Sequence, residues 1–97
     1  MRNSEFITGK VPITKEEVRA ISINKLDLVN AKRFIDVGAG TGSVTVEAAY
    51  HYPNLDVTAI ERNDDALELI NKNVEKFNFA SFSVIPWLES LGSLSEA

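Results

Sequence analysis

One run of residues constrains this chain more than any other: Asp36-Val37-Gly38-Ala39-Gly40-Thr41-Gly42, which holds three of the chain's five glycines. Ahead of it, Arg33-Phe34-Ile35-Asp36-Val37 is short, apolar and β-branched, and it reads as a buried strand. Behind it, Ser43–Tyr52 carries Val44, Val46, Ala48, Ala49 and Tyr52 ahead of Pro53, which predicts a helix stopped by the proline. A glycine-rich turn from strand into helix lets the chain bend sharply while a ligand lies against bare backbone. It also aims the free N–H groups of the helix N-terminus at that ligand.

The residues after the loop sharpen the expectation. Leu55-Asp56-Val57-Thr58-Ala59-Ile60 predicts a second strand that closes on Glu61, 19 residues after Gly42. An acid at that strand tip is placed to accept hydrogen bonds from ribose hydroxyls, so an adenosine-bearing cofactor is the expected occupant. Glycine spacing then separates the cofactor classes. The dinucleotide fingerprint G-x-G-x-x-G needs glycine at position 43, which is serine, and no Gly-Lys-Ser/Thr follows to make a phosphate loop of the Walker type.

The remaining elements follow from periodicity. Thr14-Lys15-Glu16-Glu17 fits a capping box, and it predicts a helix over about 15–26 with Val18, Ile21 and Leu26 at near-helical spacing and its charges in solvent. A further helix is expected to start on Asp64 or Asp65 and to bury Leu67, Ile70, Val74 and Phe77, and a third strand falls at 81–85. Strands alternating with helices imply an α/β fold with a parallel sheet.

Composition removes whole classes of function. The chain has 97 residues with no cysteine, which excludes disulfide frameworks, thiolate catalysis and cysteine-based zinc sites, and its lone His51 cannot by itself assemble a metal cluster. No metal is expected. No apolar run approaches the roughly 18 residues of a membrane span, and residues 1–5 lack a signal-peptide core, so neither a membrane nor an export route is expected and the cytoplasm is the expected compartment. A formal charge of −4 argues against a nucleic-acid partner, which calls for a basic face.

The pattern D-x-G-x-G-x-G resembles the signature of class I S-adenosylmethionine methyltransferases. Pro12-Ile13-Thr14-Lys15-Glu16-Glu17-Val18-Arg19, joined to Asp36–Ser43 and to Ala59-Ile60-Glu61-Arg62-Asn63, narrows the likeness. Together these segments, within about 11–77, resemble the decarboxylating precorrin-6B (cobalt-precorrin-6B) C15-methyltransferases, or precorrin-8w decarboxylases, of cobalamin biosynthesis. The resemblance implies a Rossmann-like class I fold, with S-adenosylmethionine held by Thr14, by Gly38, Ala39, Gly40, Thr41 and Gly42, and by Glu61. Thr14 also has a plainer role as a helix cap. Asp36 is expected to orient the loop, Arg62 to be an exposed strand-end residue, and His51 and Tyr52 to mark a helix end.

The implied substrate is a tetrapyrrole that brings its own nucleophilic carbon and can take up the electrons released when an acetate side chain loses carbon dioxide. No catalytic residue is assigned on these grounds. The resemblance also implies a homo-oligomer in full-length members, which run to about twice this length. Residues 1–86 are therefore expected to be the N-terminal half of the methyltransferase domain, with strands in the order 3-2-1. Residues 87–97 read as a divergent tail, as in a truncated or frameshifted product. Two alternatives stay open: a class I methyltransferase with another substrate, and a non-catalytic cofactor-binding or interaction fragment. Strand 1 would then be an open edge, so the isolated chain is expected to be marginal or to associate.

Overall fold

The computed structural model describes residues 1–89. Most of the tail expected from Trp87 onward lies outside the described residues. The described chain forms three strands, β1 (Arg33–Val37), β2 (Asp56–Glu61) and β3 (Phe82–Pro86), and three α-helices, α1 (Glu16–Leu26), α2 (Ser43–His51) and α3 (Asp64–Phe77). β2 pairs in parallel with β1 on one side and β3 on the other, giving the order expected, 3-2-1. The register sets Val37 beside Ile60 and Ile60 beside Ile85, so the C-terminal ends of all three strands finish together. That shared end is where open parallel sheets place their ligands.

The core lies between the sheet and α2. Leu28, Ala48, Ala49, Leu55 and Val57 form its buried centre, with Phe34, Tyr52, Phe79 and Phe82 packed around them. α2 suits this position because small residues on a helix let it sit close to the sheet. Burial on β2 alternates, with Val57, Ala59 and Glu61 buried, whereas β1 is buried on neither face as fully as its apolar sequence predicts. Ile35 and Val37 are exposed because the described residues put no helix against them and no strand on the outer side of β1.

α1 departs furthest from expectation. Its periodic residues Val18, Ile21 and Leu26 are exposed, and the charged Arg19 is completely buried beside Ile23 on the inward face. The capping box at Thr14 does not form. Lys15 is the N-cap, without a side-chain bond, and the helix starts at Glu16. The Arg19 Nη1 donates to the Thr14 carbonyl at 2.7 Å. In α3 the cap is Asn63, whose Oδ1 accepts from the Ala66 amide at 3.0 Å, one residue before the expected Asp64 or Asp65. Its fully buried positions are Ala66, Leu69, Ile70 and Asn73. Of the expected face only Ile70 is fully buried, while Leu67, Val74 and Phe77 are half-buried.

The N-terminal segment packs on the buried face of α3. Asn73 donates to the Ile7 carbonyl at 3.0 Å and accepts from the Ile7 amide at 2.7 Å, so one side chain satisfies both polar groups of a residue 66 positions away. Phe6 is buried at this seam, edge-on to Phe77. No helix among the described residues is long and apolar enough to cross a membrane.

Candidate functional site

The glycine loop folds into the space between β1 and α2, held by β2. Gly38 and Ala39 both donate to the Ile60 carbonyl, at 2.8 and 3.1 Å, and Gly42 donates back to Ala39 at 2.9 Å. Two of the glycines are needed for different reasons. Gly42 has a φ of +76° and is the N-cap of α2, and a Cβ there would fall 2.8 Å from the Ile70 side chain. The loop could not close on α3 with anything larger. Gly38 has a φ of +74° but a Cβ there would meet nothing within 4 Å. Its backbone therefore faces open space.

That space is a pocket of about 520 Å³ at the C-terminal ends of β1 and β2, lined by Val37, Gly38, Ile60, Glu61, Arg62, Asn63 and Trp87. Glu61 is buried at its wall, and its carboxylate organises the site. Oε1 accepts from the Gly40 amide at 2.7 Å, and Oε2 accepts from the Arg62 and Asn63 amides at 2.8 Å each. Burial pushes its pKa up, but the amides of Asn63, Gly40 and Arg62 and the nearby Arg62 charge outweigh this and hold the carboxyl below its usual range. A carboxylate offers about four lone-pair sites, so a fourth donor can still join these three bonds. A pair of vicinal hydroxyls, donating two hydrogen bonds, would have to displace one of the amides, and the loop's Gly40 contact is the one that shares Oε1.

Asp36 sits one residue before the pocket wall, and a side-chain hydroxyl is its hydrogen-bond partner. Its Oδ2 accepts from the Thr45 hydroxyl at 2.7 Å, so it ties β1 to the first turn of α2 and orients the loop through that helix. Burial raises its pKa, the Thr45 bond opposes this, and the Glu61 charge adds to the rise. Two neighbouring carboxylates are thus pushed in opposite directions by their surroundings. α2 itself begins without a side-chain cap, which leaves its first-turn amides to be met by something other than a capping side chain.

Of the residues expected to hold a cofactor, Gly38 and Glu61 line the pocket, and Gly40 is bonded directly to Glu61. Ala39, Thr41 and Gly42 belong to the same loop, with Thr41 and Gly42 buried. Thr14 is not among the residues lining this pocket. It is half-buried ahead of α1, where its carbonyl is held by Arg19. Arg62 is an exposed residue at the pocket rim, and His51, also exposed, lies 3.5 Å from Glu47 at the end of α2.

Sequence periodicity missed the buried charge cluster that holds Thr14. Arg19 Nε donates to Glu47 Oε1 at 2.9 Å, and its other nitrogens reach the Asn3 side chain and the Thr14 and Met1 carbonyls. Glu47 also meets the Met1 ammonium group at 2.9 Å. Burial pushes the Glu47 pKa up, and the Arg19 bond and the Met1 ammonium more than reverse it, so the carboxyl lies below its usual range. A signal was there: Glu47 is the one acid in the apolar run Val44–Ala49, and such a residue calls for a buried cation.

Comparison with known proteins agrees with this geometry. A family model described as a precorrin methyltransferase domain matches residues 5–89. The cobalt-precorrin-6B C(15)-methyltransferase (decarboxylating) of Salmonella typhimurium is 49% identical over 87 residues, covering 89% of this chain and 45% of that protein. Among solved structures, a precorrin-6y C5,15-methyltransferase from Geobacter metallireducens is 38% identical with a TM-score of 0.79, and the match covers 89% of this chain and 46% of that one. Precorrin-8w decarboxylase from Methanobacterium thermoautotrophicum is 29% identical with a TM-score of 0.76, over 89% of this chain and 47% of that one. The chain spans about half the length of the curated relatives it matches.

Proposed function

The chain belongs to the precorrin methyltransferase family, and from that premise we propose that it provides the S-adenosylmethionine-binding part of an enzyme that methylates a precorrin or cobalt-precorrin tetrapyrrole at C15, with decarboxylation of an acetate side chain. The observation that carries this is the Glu61 carboxylate, buried and bonded to the Gly40 amide in a loop where Gly38 and Gly40 leave their backbone bare. S-Adenosylmethionine, when bound, supplies an electrophilic methyl group on a sulfonium centre.

The chain's own residues fit that group in three respects. Gly38 offers backbone and open space where any side chain would intrude. Glu61 stays ionised, so it can accept from a ribose hydroxyl through the lone pair that its three amide bonds leave. Val37 and Ile60 give the pocket an apolar wall. Methyl transfer of this kind is an in-line displacement governed by placing two reactants and excluding water, so a site without an obvious acid or base is adequate to it. No described residue is assigned to proton transfer. Thr14 belongs to the proposed cofactor contacts only through the family likeness, since it does not line the pocket.

A second reading rests on coverage. Because the match reaches about half of each relative, the described residues would then bind the cofactor without turning over a substrate. Equilibrium dialysis of the chain against labelled S-adenosylmethionine and labelled NAD tests the cofactor: retention of the first and not the second is expected, and retention of NAD alone, or of neither, contradicts the proposal. Transfer of labelled methyl to a cobalt-precorrin-6B tetrapyrrole separates the two readings, since the second predicts retention without transfer.

A further inference from the structure

Among the described residues the sheet has two open sides, one along β1 and one along β3, and they differ in what they offer a neighbour. β3 ends on Pro86, which has no N–H to give and so blunts that edge. β1 holds no proline, and after Arg33 its uncovered side chains are apolar, Ile35 at 53% and Val37 at 60% exposure. Backbone groups along a parallel strand turn alternately to one neighbour and to the other. Asp56 donates to the Lys32 carbonyl at 3.0 Å, and Gly38 donates to the Ile60 carbonyl at 2.8 Å. With the register, this turns the backbone of Lys32, Phe34, Asp36 and Gly38 toward β2. The N–H and C=O groups of Arg33, Ile35 and Val37 therefore point out of the sheet on its open side.

From this we propose that a second copy of the chain takes this edge, β1 pairing antiparallel with β1 about a twofold axis between the two Ile35 residues. The open groups are spaced evenly to either side of Ile35, so the edge is complementary to itself, as a twofold contact requires. Ile35 exchanges both hydrogen bonds with its counterpart. Arg33 of each copy exchanges both with Val37 of the other, which leaves no open N–H or C=O along β1. The antiparallel run also holds the Lys32 and Arg33 charges of the two copies apart, whereas a parallel run would set them side by side. Residues directly opposite in such a pair share a face, so Ile35 and Val37 of both copies form one apolar patch across the seam. The aliphatic stem of Arg33, exposed in the single chain, covers Val37 of the other copy. Val37 lines the pocket beside Glu61, so this register brings the partner's Arg33 to the rim of that site.

Sedimentation equilibrium and amide hydrogen exchange of the 97-residue chain, without ligand and over one range of concentrations, test the pairing. A monomer–dimer equilibrium is expected. The amides of Arg33, Ile35 and Val37 should exchange freely in the monomer and become protected with the same midpoint as the dimer forms. Ile35→Lys sets two ammonium groups opposite each other at the axis, and it should weaken the dimer about tenfold or more and return those amides to free exchange. Ile21→Lys makes the same change on the exposed side of α1 and should leave the dimer as it is. Far-UV circular dichroism shows whether both variants fold, and the wild-type measurements stand without them. A monomer at every concentration, assembly beyond two copies, or a dimer whose Ile35 and Val37 amides still exchange freely overturns the pairing. Protection of those amides in the monomer also overturns it, since another part of the chain would then cover the edge. Loss of the dimer in Ile21→Lys does the same by moving the contact to α1.

Discussion

At the scale of single residues, the two glycines that end and begin the loop do separate jobs, and substitution should separate them. Gly42→Ala forces a left-handed backbone onto a residue with a Cβ and drives that Cβ to 2.8 Å from Ile70. A loss of about 2 kcal/mol or more in unfolding free energy is expected, since strain and overpacking act together. Gly38→Ala meets no protein atom within 4 Å and should cost only about 1–2 kcal/mol of backbone strain. Its larger effect should be on ligand affinity, because the added methyl stands at the pocket wall. Denaturant melts and binding curves of the two variants would refute this division if both variants lost stability and affinity in the same proportion. Asp36 supplies a second residue-scale prediction. Its pKa is raised in the folded state, so the ionised form carries a penalty that is present at neutral pH and disappears once pH falls below the unfolded value. Asp36→Asn keeps an acceptor for Thr45 and removes a charge facing Glu61. It should raise the melting temperature near neutrality, and the gain should vanish under acid conditions. A gain that persisted or grew on acidification would contradict the assignment.

At the scale of elements, the Arg19–Glu47 contact does for the N-terminal half what hydrogen-bond ladders do for the sheet. It joins α1 to α2 and, through Asn3 and Thr14, ties down the segment before α1. Arg19 also lies over the Phe6 ring, 4.8 Å from its centroid. Removing either charge strands its partner in the interior, so Arg19→Ala should destabilise the chain by about 3–5 kcal/mol. In a double-mutant cycle with Glu47→Ala the coupling should exceed the roughly 1 kcal/mol of an exposed ion pair. A coupling within that exposed range would show that the contact is incidental. This element-level cluster is also where sequence reasoning went astray. The spacing of Val18, Ile21 and Leu26 was a valid helical signal, but it named the wrong face. A buried arginine saturated by four partners outweighed the apolar stripe, and those partners come from residues 1, 3, 14 and 47, which no local window contains. In contrast, β1, α2 and β2 were legible within a residue or so because the strand, the glycine turn and the proline stop are local signals. The loop and Glu61 were legible for the same reason. Trp87 and Arg62 were not recognised as pocket walls because their meeting depends on the pairing of β2 with β3.

At the scale of the whole molecule, the described residues close into a body with a radius of gyration of 12.8 Å, close to the roughly 13 Å typical of a domain of 100 residues. The described residues bury a core with Ile35 and Val37 left exposed along β1. Glu47 and Glu61, each with a folded-state pKa below its ordinary value, contribute stability that is present above the unfolded pKa and is lost as pH falls through the folded one. Both anchor the same architecture: one fixes α1 to α2, and the other fixes the loop to the strand ends. Together they hold the loop and Glu61 in the arrangement proposed to receive an adenosine-bearing cofactor. Backbone amide NMR of the labelled chain, recorded while S-adenosylhomocysteine is added, tests it most directly. Saturable shifts are expected, concentrated at Gly38–Gly42 and Glu61–Asn63, with Gly40 among the largest because its N–H is bonded to the carboxylate proposed to receive the ribose. Shifts clustered elsewhere, or none at saturating ligand, would contradict it.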